Sequence, residues 1–216
     1  MTDLNAFAEN VISGQASAVD ELVRQALDEG SPESRILDEG LIAGMDVVGG
    51  KFKDGPFYIP EVLIAARAMK AGMDLIQPGH TAEGVKPLGT ACVGTVKGYL
   101  HDIGKNLVIM MLQGAGFEVV DLGIDVPPED FVTAAQDGAQ LVCMSALQTT
   151  TMGSMEETIQ ALHDAGYWDY IRALVDGAPI TQAFAERIGA DGFGPDAASA
   201  ADLAKEFIVE LRETAS

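Results

Sequence analysis

Basic residues, cysteines and long apolar runs are all scarce in this chain, and each scarcity removes a class of function. Thirteen lysines and arginines stand against 33 aspartates and glutamates in 216 residues, a formal charge of −20. Phosphate binding needs clustered Lys/Arg, so nucleic acid is excluded as a partner. An anionic membrane surface is excluded on the same ground. Acid in such excess keeps a soluble protein apart from its own copies. Cys92 and Cys143 each lie inside an apolar run, and neither has metal-ligand spacing to another Cys or His. They read as buried thiols, and a disulfide framework is excluded. No apolar stretch approaches the ~20 residues that span a bilayer. The opening Met1-Thr2-Asp3-Leu4-Asn5 has no basic segment leading into an apolar run. No secretory signal is therefore expected, and a reducing cytoplasm is.

Hydrophobic residues make up 48% of the chain, enough for a sizeable core. Residues 1 to about 80 read as helical. Val19, Leu22, Val23, Ala26 and Leu27 fall on one helix face, which Gly30 ends. Ser31-Pro32 is expected to start a second helix, with serine as cap and proline at the first helical position. Its apolar side is Ile36, Leu37, Leu41, Ile42, Met45 and Val48, and a loop follows from Phe52 to Tyr58. Pro60-Glu61 opens a third helix with a soft inner face of Ala65, Ala66, Met69, Ala71, Gly72 and Met73. Pro78-Gly79 to Lys86-Pro87 is a polar linker. Beyond it strands alternate with helices: Gly89–Val93, Glu118–Asp121, Leu141–Ser145, Ala173–Val175 and Gly192–Phe193 are the expected strands. The expected architecture is a helical-bundle cap over 1–86, then an α/β domain over 87–216. The latter is a doubly wound, five-stranded parallel sheet of the Rossmann-like, flavodoxin type.

The richest chemistry lies in Gly94-Thr95-Val96-Lys97-Gly98-Tyr99-Leu100-His101-Asp102-Ile103-Gly104-Lys105-Asn106. It places His101 in a glycine-rich loop at the carboxyl end of the first strand, where open parallel sheets bind ligands. Of the other two histidines, His163 reads as a solvated helix end and His80 as part of the linker. Gly104-Lys105-Asn106 is no phosphate loop, because Tyr99 occupies the place of the first glycine and Asn106 that of the magnesium-binding hydroxyl. No dinucleotide fingerprint, nucleophile elbow or HExxH zinc motif occurs. Ser145-Ala146-Leu147-Gln148-Thr149-Thr150-Thr151 follows the third strand, and its hydroxyls either line a pocket or cap the next helix. With Val175-Asp176-Gly177 after the fourth strand, three loops would share one sheet edge and form a crevice.

These residues resemble the cobalamin-binding proteins related to the B12 module of methionine synthase, whose motif is DxHxxG, then SxL, then GG. Tyr99-Leu100-His101-Asp102-Ile103-Gly104 matches the first at His and Gly, Ser145-Ala146-Leu147 the second, and Asp176-Gly177 half of the third. Gly44 to Gly49, Tyr58 to Val62 and Ala68-Met69-Lys70 resemble the family's helical cap. The length and two-part layout resemble free-standing corrinoid carriers of methyltransfer systems using methylamines, methanol or methoxy-aromatics. The resemblance implies a carrier, not an enzyme, whose cobalamin cycles between methylcobalamin and Co(I) forms. Implied partners are a substrate-specific methyltransferase, a second one acting on tetrahydrofolate or coenzyme M, and a reductive activase. His101 would replace the cofactor's benzimidazole as lower cobalt ligand, within the motif that also holds Asp102 and Gly104. Ser145, Leu147, Thr149 and Gly177 would line a slot for the displaced nucleotide tail, with Gly177 bare to admit the ligand, and Tyr58 would face the corrin from the cap.

Two positions depart from the pattern. Tyr99 stands where the motif has Asp. A phenol is neutral at pH 7, with an unperturbed pKa of ~10, so it donates less electron density to the histidine than a carboxylate. A weaker His–cobalt bond and easier reduction to Co(I) are expected. By the same resemblance Thr151 sits where the family's proton relay continues from that Asp, and without the Asp its role stays open. Asp176 stands where the first glycine is expected, which alters contacts with the tail. A B12-dependent sensor or regulator is a competing reading, but the chain has neither the length nor the basic face for a DNA-binding domain. The B12 subunit of an adenosylcobalamin mutase is another, and such subunits usually lack this helical cap.

Overall fold

The computed structural model describes residues 4–76 and 86–214. His80 and the expected linker before Lys86 lie outside the described residues. The chain divides into two compact units, Met1–Pro87 with Gly114–Gly116, and Leu88–Gln113 with Phe117–Ser216.

The first unit is helical. Helix α1 (Leu4–Ile12) is followed by α2 (Ala16–Asp28), α3 (Glu33–Ile36), a π-helical stretch over Leu37–Ile42, α4 (Ala43–Lys53) and α5 (Ile59–Ile76). Helix α2 buries Val19, Val23 and Ala26, leaving Leu22 and Leu27 half-buried. Its end is a Schellman turn: Gly30 takes φ +77, its N–H bonds Leu27 O, and the Ser31 N–H bonds Ala26 O. Pro32, not Ser31, holds the N-cap position of α3; its ψ of 132 is extended, so the helix begins one residue later than the sequence suggests. The π-helical stretch was not legible in the apolar spacing. Gly40 lies in it, and a Cβ there would stand 3.1 Å from that of Phe7, so the missing side chain lets α1 approach. Phe52 belongs to α4, so the loop is shorter than expected. Glu61 Oε2 accepts from the Tyr58 N–H at 2.9 Å and secures the start of α5. That helix buries Val62, Ala65, Ala68, Met69, Gly72 and Ile76, a face turned slightly from the expected one. None of the described helices is long and apolar enough to cross a membrane.

The second unit is the doubly wound sheet. Strands β1 (Thr90–Val96), β2 (Glu118–Val126), β3 (Leu141–Ser145), β4 (Arg172–Asp176) and β5 (Gly192–Gly194) are all parallel, in the order β2-β1-β3-β4-β5. Between them run α6 (Ile103–Gly114), α7 (Pro128–Gln136), α8 (Met152–Asp164) and α9 (Gln182–Ile188), and α10 (Ala197–Thr214) ends the fold. The order reverses between β1 and β3, which makes their carboxyl ends the switch point. Strand β1 runs past Val93 because Gly94 pairs with Met144 on β3 and with Gly123 on β2. A Cβ at Gly94 would meet Phe131 at 2.8 Å, so this glycine serves packing and not a turn. Cys92 and Cys143 are buried and free. Burial pushes the Cys92 thiol up to about 12 and the Cys143 thiol well above its usual value, so both stay protonated. His163 ends α8 and stacks on Trp168 with centroids 4.1 Å apart.

Lys105, read in the sequence only as a failed phosphate-loop lysine, is buried with 3% of its side chain exposed. Its Nζ donates to Asp121 Oδ1 at 2.6 Å and Asn106 Oδ1 at 2.8 Å, tying α6 to β2. Removing one partner strands the buried charge, whereas removing the buried charge itself leaves Asp121, 49% exposed, to water. Asp121→Ala should cost about 2 kcal/mol, less than the ~3–5 kcal/mol of a fully buried pair. Lys105→Met should cost less than about 1 kcal/mol. Urea denaturation of both variants checks the order.

Candidate functional site

The site grows out of the end of β1. Thr95 is buried, and its Oγ1 donates to the His101 carbonyl at 3.2 Å. Gly98 takes φ +91, which a side chain would disfavour, and its N–H donates to Asp125 Oδ1 at 2.7 Å. Asp125, itself at φ 54, returns its N–H to the Tyr99 carbonyl at 3.1 Å. Three hydrogen bonds thus pin a loop of six residues to β1 and to the end of β2.

His101 is left exposed at the sheet edge, between Leu100 and Ile103, which are 69% and 68% exposed. Tyr99 is buried and stacks on His101, centroids 4.9 Å apart and planes 26° apart. Asp102 Oδ2 accepts from Asn106 Nδ2 at 2.9 Å, which joins the loop to the Lys105–Asp121 pair.

Under the first turn of α6 lies a polar row that the sequence did not reveal. Thr95 pairs in register with Ser145, Ser145 with Asp176, and Asp176 with Gly194. Alternation puts the three side chains on one sheet face, opposite Val96, Met144, Ala146 and Val175 in the core. Ser145 Oγ donates to Asp176 Oδ1 at 2.7 Å. Asp176 Oδ2 is buried and accepts no hydrogen bond among the described residues. Burial pushes this carboxyl up to about 6, against the pull of the Ser145 hydroxyl.

Two glycines of the expected site have opposite reasons. Gly177 takes φ +128, and a Cβ there would collide with the Ala146 carbonyl oxygen. The chain's own backbone demands it, which corrects the expectation that a ligand keeps it bare. Gly104 has no positive φ, and its nearest neighbour to a Cβ would be Ser145 Oγ at 3.9 Å. Nothing in the protein requires glycine there, as at a surface reserved for a ligand.

The loop after β3 closes the edge. Leu147 is half-buried and Thr149 exposed. Thr151 caps nothing: α8 starts without a side-chain cap, and the Thr151 hydroxyl donates back to the Gln148 carbonyl at 3.0 Å. Thr151 Cγ2 would lie 3.3 Å from a Cβ on Gly98, and Ser154 Oγ donates to the Lys97 carbonyl at 3.2 Å, so the loops after β1 and β3 touch. The Ala146 N–H bond to the Asp176 carbonyl, 3.1 Å, brings in the loop after β4. The structure therefore brings together Tyr99, His101, Asp102, Gly104, Ser145, Leu147, Thr149 and Gly177 along one edge of the sheet. Tyr58 belongs to the helical unit, where it is exposed. Among the described residues no three His, Cys, Asp or Glu side chains cluster to hold a metal ion.

Comparison with known proteins gives matches in both units. Family models for the B12 binding domain match residues 89–203 and residues 3–77. The dimethylamine corrinoid protein 3 of Methanosarcina acetivorans is 42% identical over 207 residues, covering 95% of this chain and 97% of its own. A crystal structure of a cobalamin-binding protein from Desulfitobacterium hafniense is 30% identical with a TM-score of 0.81, covering 96% of this chain and 99% of that one. A chain of the methanol:cobalamin methyltransferase complex of Methanosarcina barkeri is 31% identical with a TM-score of 0.84, covering 98% of this chain and 83% of that one.

The two glycines yield opposite expectations for the protein without ligand. Gly177→Ala should lose at least about 3 kcal/mol or fail to fold, since strained φ and a backbone clash combine. Gly104→Ala should fold normally and gain about 0.5 kcal/mol from helix propensity. Thermal unfolding of the two variants beside the parent decides it.

Proposed function

The chain belongs to the B12-binding family, and on that premise we propose that it carries a methyl group on a bound corrinoid between two methyltransferases. The observation that supports this most is His101, pinned at the switch point with its ring exposed among apolar side chains. Likeness to a dimethylamine corrinoid protein along nearly the whole chain favours methylamines as the source of the methyl group. A substrate-specific methyltransferase would load it, and a second would move it to tetrahydrofolate or coenzyme M. A reductive activase would restore the cofactor after oxidation.

When bound, the corrinoid supplies the cobalt centre that accepts the methyl group as a nucleophile and releases it again. This chain's residues do the rest. His101 would hold the cobalt through its imidazole. Thr95 and the Gly98–Asp125 clamp fix its backbone, so ligation costs little further ordering. Gly104 leaves room where the ring's tail would enter, and Ser145, Leu147, Thr149 and Gly177 line the proposed slot. Asp102 holds the helix start through Asn106. Tyr58 is a candidate cofactor contact on resemblance alone, and the residue is 68% exposed in the helical unit.

Tyr99 tunes the ligand by stacking on it. A stacked phenol holds the imidazole's plane but adds no negative charge behind it. The bond to cobalt is then weaker than with the motif's carboxylate.

The protein reconstituted with cobalamin should show the spectrum of a histidine-ligated, base-off corrinoid, and His101→Ala should lose it. An unchanged spectrum in His101→Ala would remove the ligand assignment. Spectroelectrochemistry should find the Co(II)/Co(I) midpoint lower in Tyr99→Asp and little moved in Tyr99→Phe. Each tenfold gain in ligation of Co(II) lowers it by about 59 mV. Methylation of the reduced, loaded protein by a dimethylamine-specific methyltransferase tests the carrier role itself; no transfer from any methylamine would contradict the choice of donor.

A further inference from the structure

Among the described residues, the carboxylate of Asp176 is the one buried side-chain group with an atom that the protein's own contacts leave unpaired. It ends β4, is almost wholly buried, and has one oxygen bound by the Ser145 hydroxyl at 2.7 Å. Its other oxygen, Oδ2, has no partner among the described residues. A buried acceptor left unsatisfied costs ~1–3 kcal/mol, more when charged. Such a cost persists where a ligand supplies the missing donor. The backbone that carries the group is held: the Asp176 carbonyl accepts from the Ala146 N–H, and Gly177 behind it lies against the close backbone of Ala146.

The hydrogen-bond count along the row then becomes restrictive. The Ser145 hydroxyl has a single hydrogen, and it is committed to Asp176. Ser145 is therefore left with lone pairs only. The Thr95 hydrogen is likewise spent on the His101 carbonyl. At neutral pH the row offers acceptors and no free donor. Gly104, whose Cβ would make only an ordinary contact with Ser145 Oγ at 3.9 Å, is the side from which a ligand would reach the row.

We propose that Asp176, acting with Ser145, selects the lower base of the bound corrinoid, favouring a base that carries a hydrogen-bond donor over dimethylbenzimidazole. This rests on the reading of the chain as a corrinoid carrier whose nucleotide tail enters beside Ser145. Dimethylbenzimidazole, once off cobalt, presents an acceptor nitrogen and no donor. It would meet a row of acceptors and leave Asp176 Oδ2 unpaired. An adenine base carries an exocyclic amino group, which donates. A site built to bond a donor rejects the analogue without it because its own buried group stays unpaired.

The test titrates the apo-protein at neutral pH with three corrinoids, following the absorbance change on binding. They are adeninylcobamide, cobalamin with its dimethylbenzimidazole, and cobinamide, which has no nucleotide. Adeninylcobamide should bind at least about tenfold more tightly than cobalamin. Asp176→Gly should bring that ratio near one, and Asp176→Asn, which keeps the shape and supplies an amide donor, should reverse it. Cobinamide should bind all three proteins alike and so report that each is folded. Equal affinity for the two complete corrinoids in the parent, or a preference that survives in Asp176→Gly, overturns the proposal while leaving the carrier reading intact. Failure of all three corrinoids to bind the parent overturns both.

Discussion

The functional edge depends on how the backbone between β1 and α6 is held. A loop of this length would lose ~1–2 kcal/mol of conformational entropy per residue on being ordered by a ligand. Here the ordering is already done. The Thr95 hydroxyl grips the His101 carbonyl, and Asp125 grips Gly98 and Tyr99 from the end of the neighbouring strand. The imidazole is thus presented by the sheet itself. Strand order puts that presentation at the reversal between β1 and β3, where crossovers depart to opposite sides and leave an edge open.

From this constraint follows a division of labour among residues alike in sequence. Gly177 and Gly104 both belong to the expected binding motif, yet one exists for the backbone and the other has no internal reason to be glycine. Tyr99 and Asp176 are the two departures from that motif, and both face the proposed cofactor's supports. Tyr99 replaces a charge behind His101 by a stacked ring. Asp176 adds a charge where none is expected and commits the Ser145 hydroxyl to it. Negative charge is thus absent from behind the proposed metal ligand and present beside the proposed tail.

The fold was largely legible because its signals are local. Leu141–Ser145 is a buried apolar run between polar turns and matches the expected strand end to end. Helix faces followed the apolar spacing closely, with α5 rotated by about one residue's worth of burial. Misreadings came where a distant partner decides the local conformation. Gly94 looks like the start of a turn, and only Phe131 packed against it explains its place in a strand. The π-helical stretch at Leu37–Ile42 has no signature in the apolar spacing, and its Gly40 faces Phe7 of another helix. In the site, His101 could be found from its glycine-rich surroundings. The Thr95–Ser145–Asp176 row could not, since it exists only in the register of three strands. Its one trace in the sequence was an aspartate standing in a glycine's place.

The central claim is that a nitrogen of this protein, and not of the cofactor, lies beneath cobalt. It is tested most directly by electron paramagnetic resonance of the Co(II) form, prepared with protein uniformly labelled with nitrogen-15 and unlabelled cobalamin. The account predicts that each cobalt hyperfine line, a triplet in unlabelled protein, becomes a doublet on labelling. A triplet that persists would place the benzimidazole on cobalt and contradict it, as would lines with no nitrogen splitting in either sample.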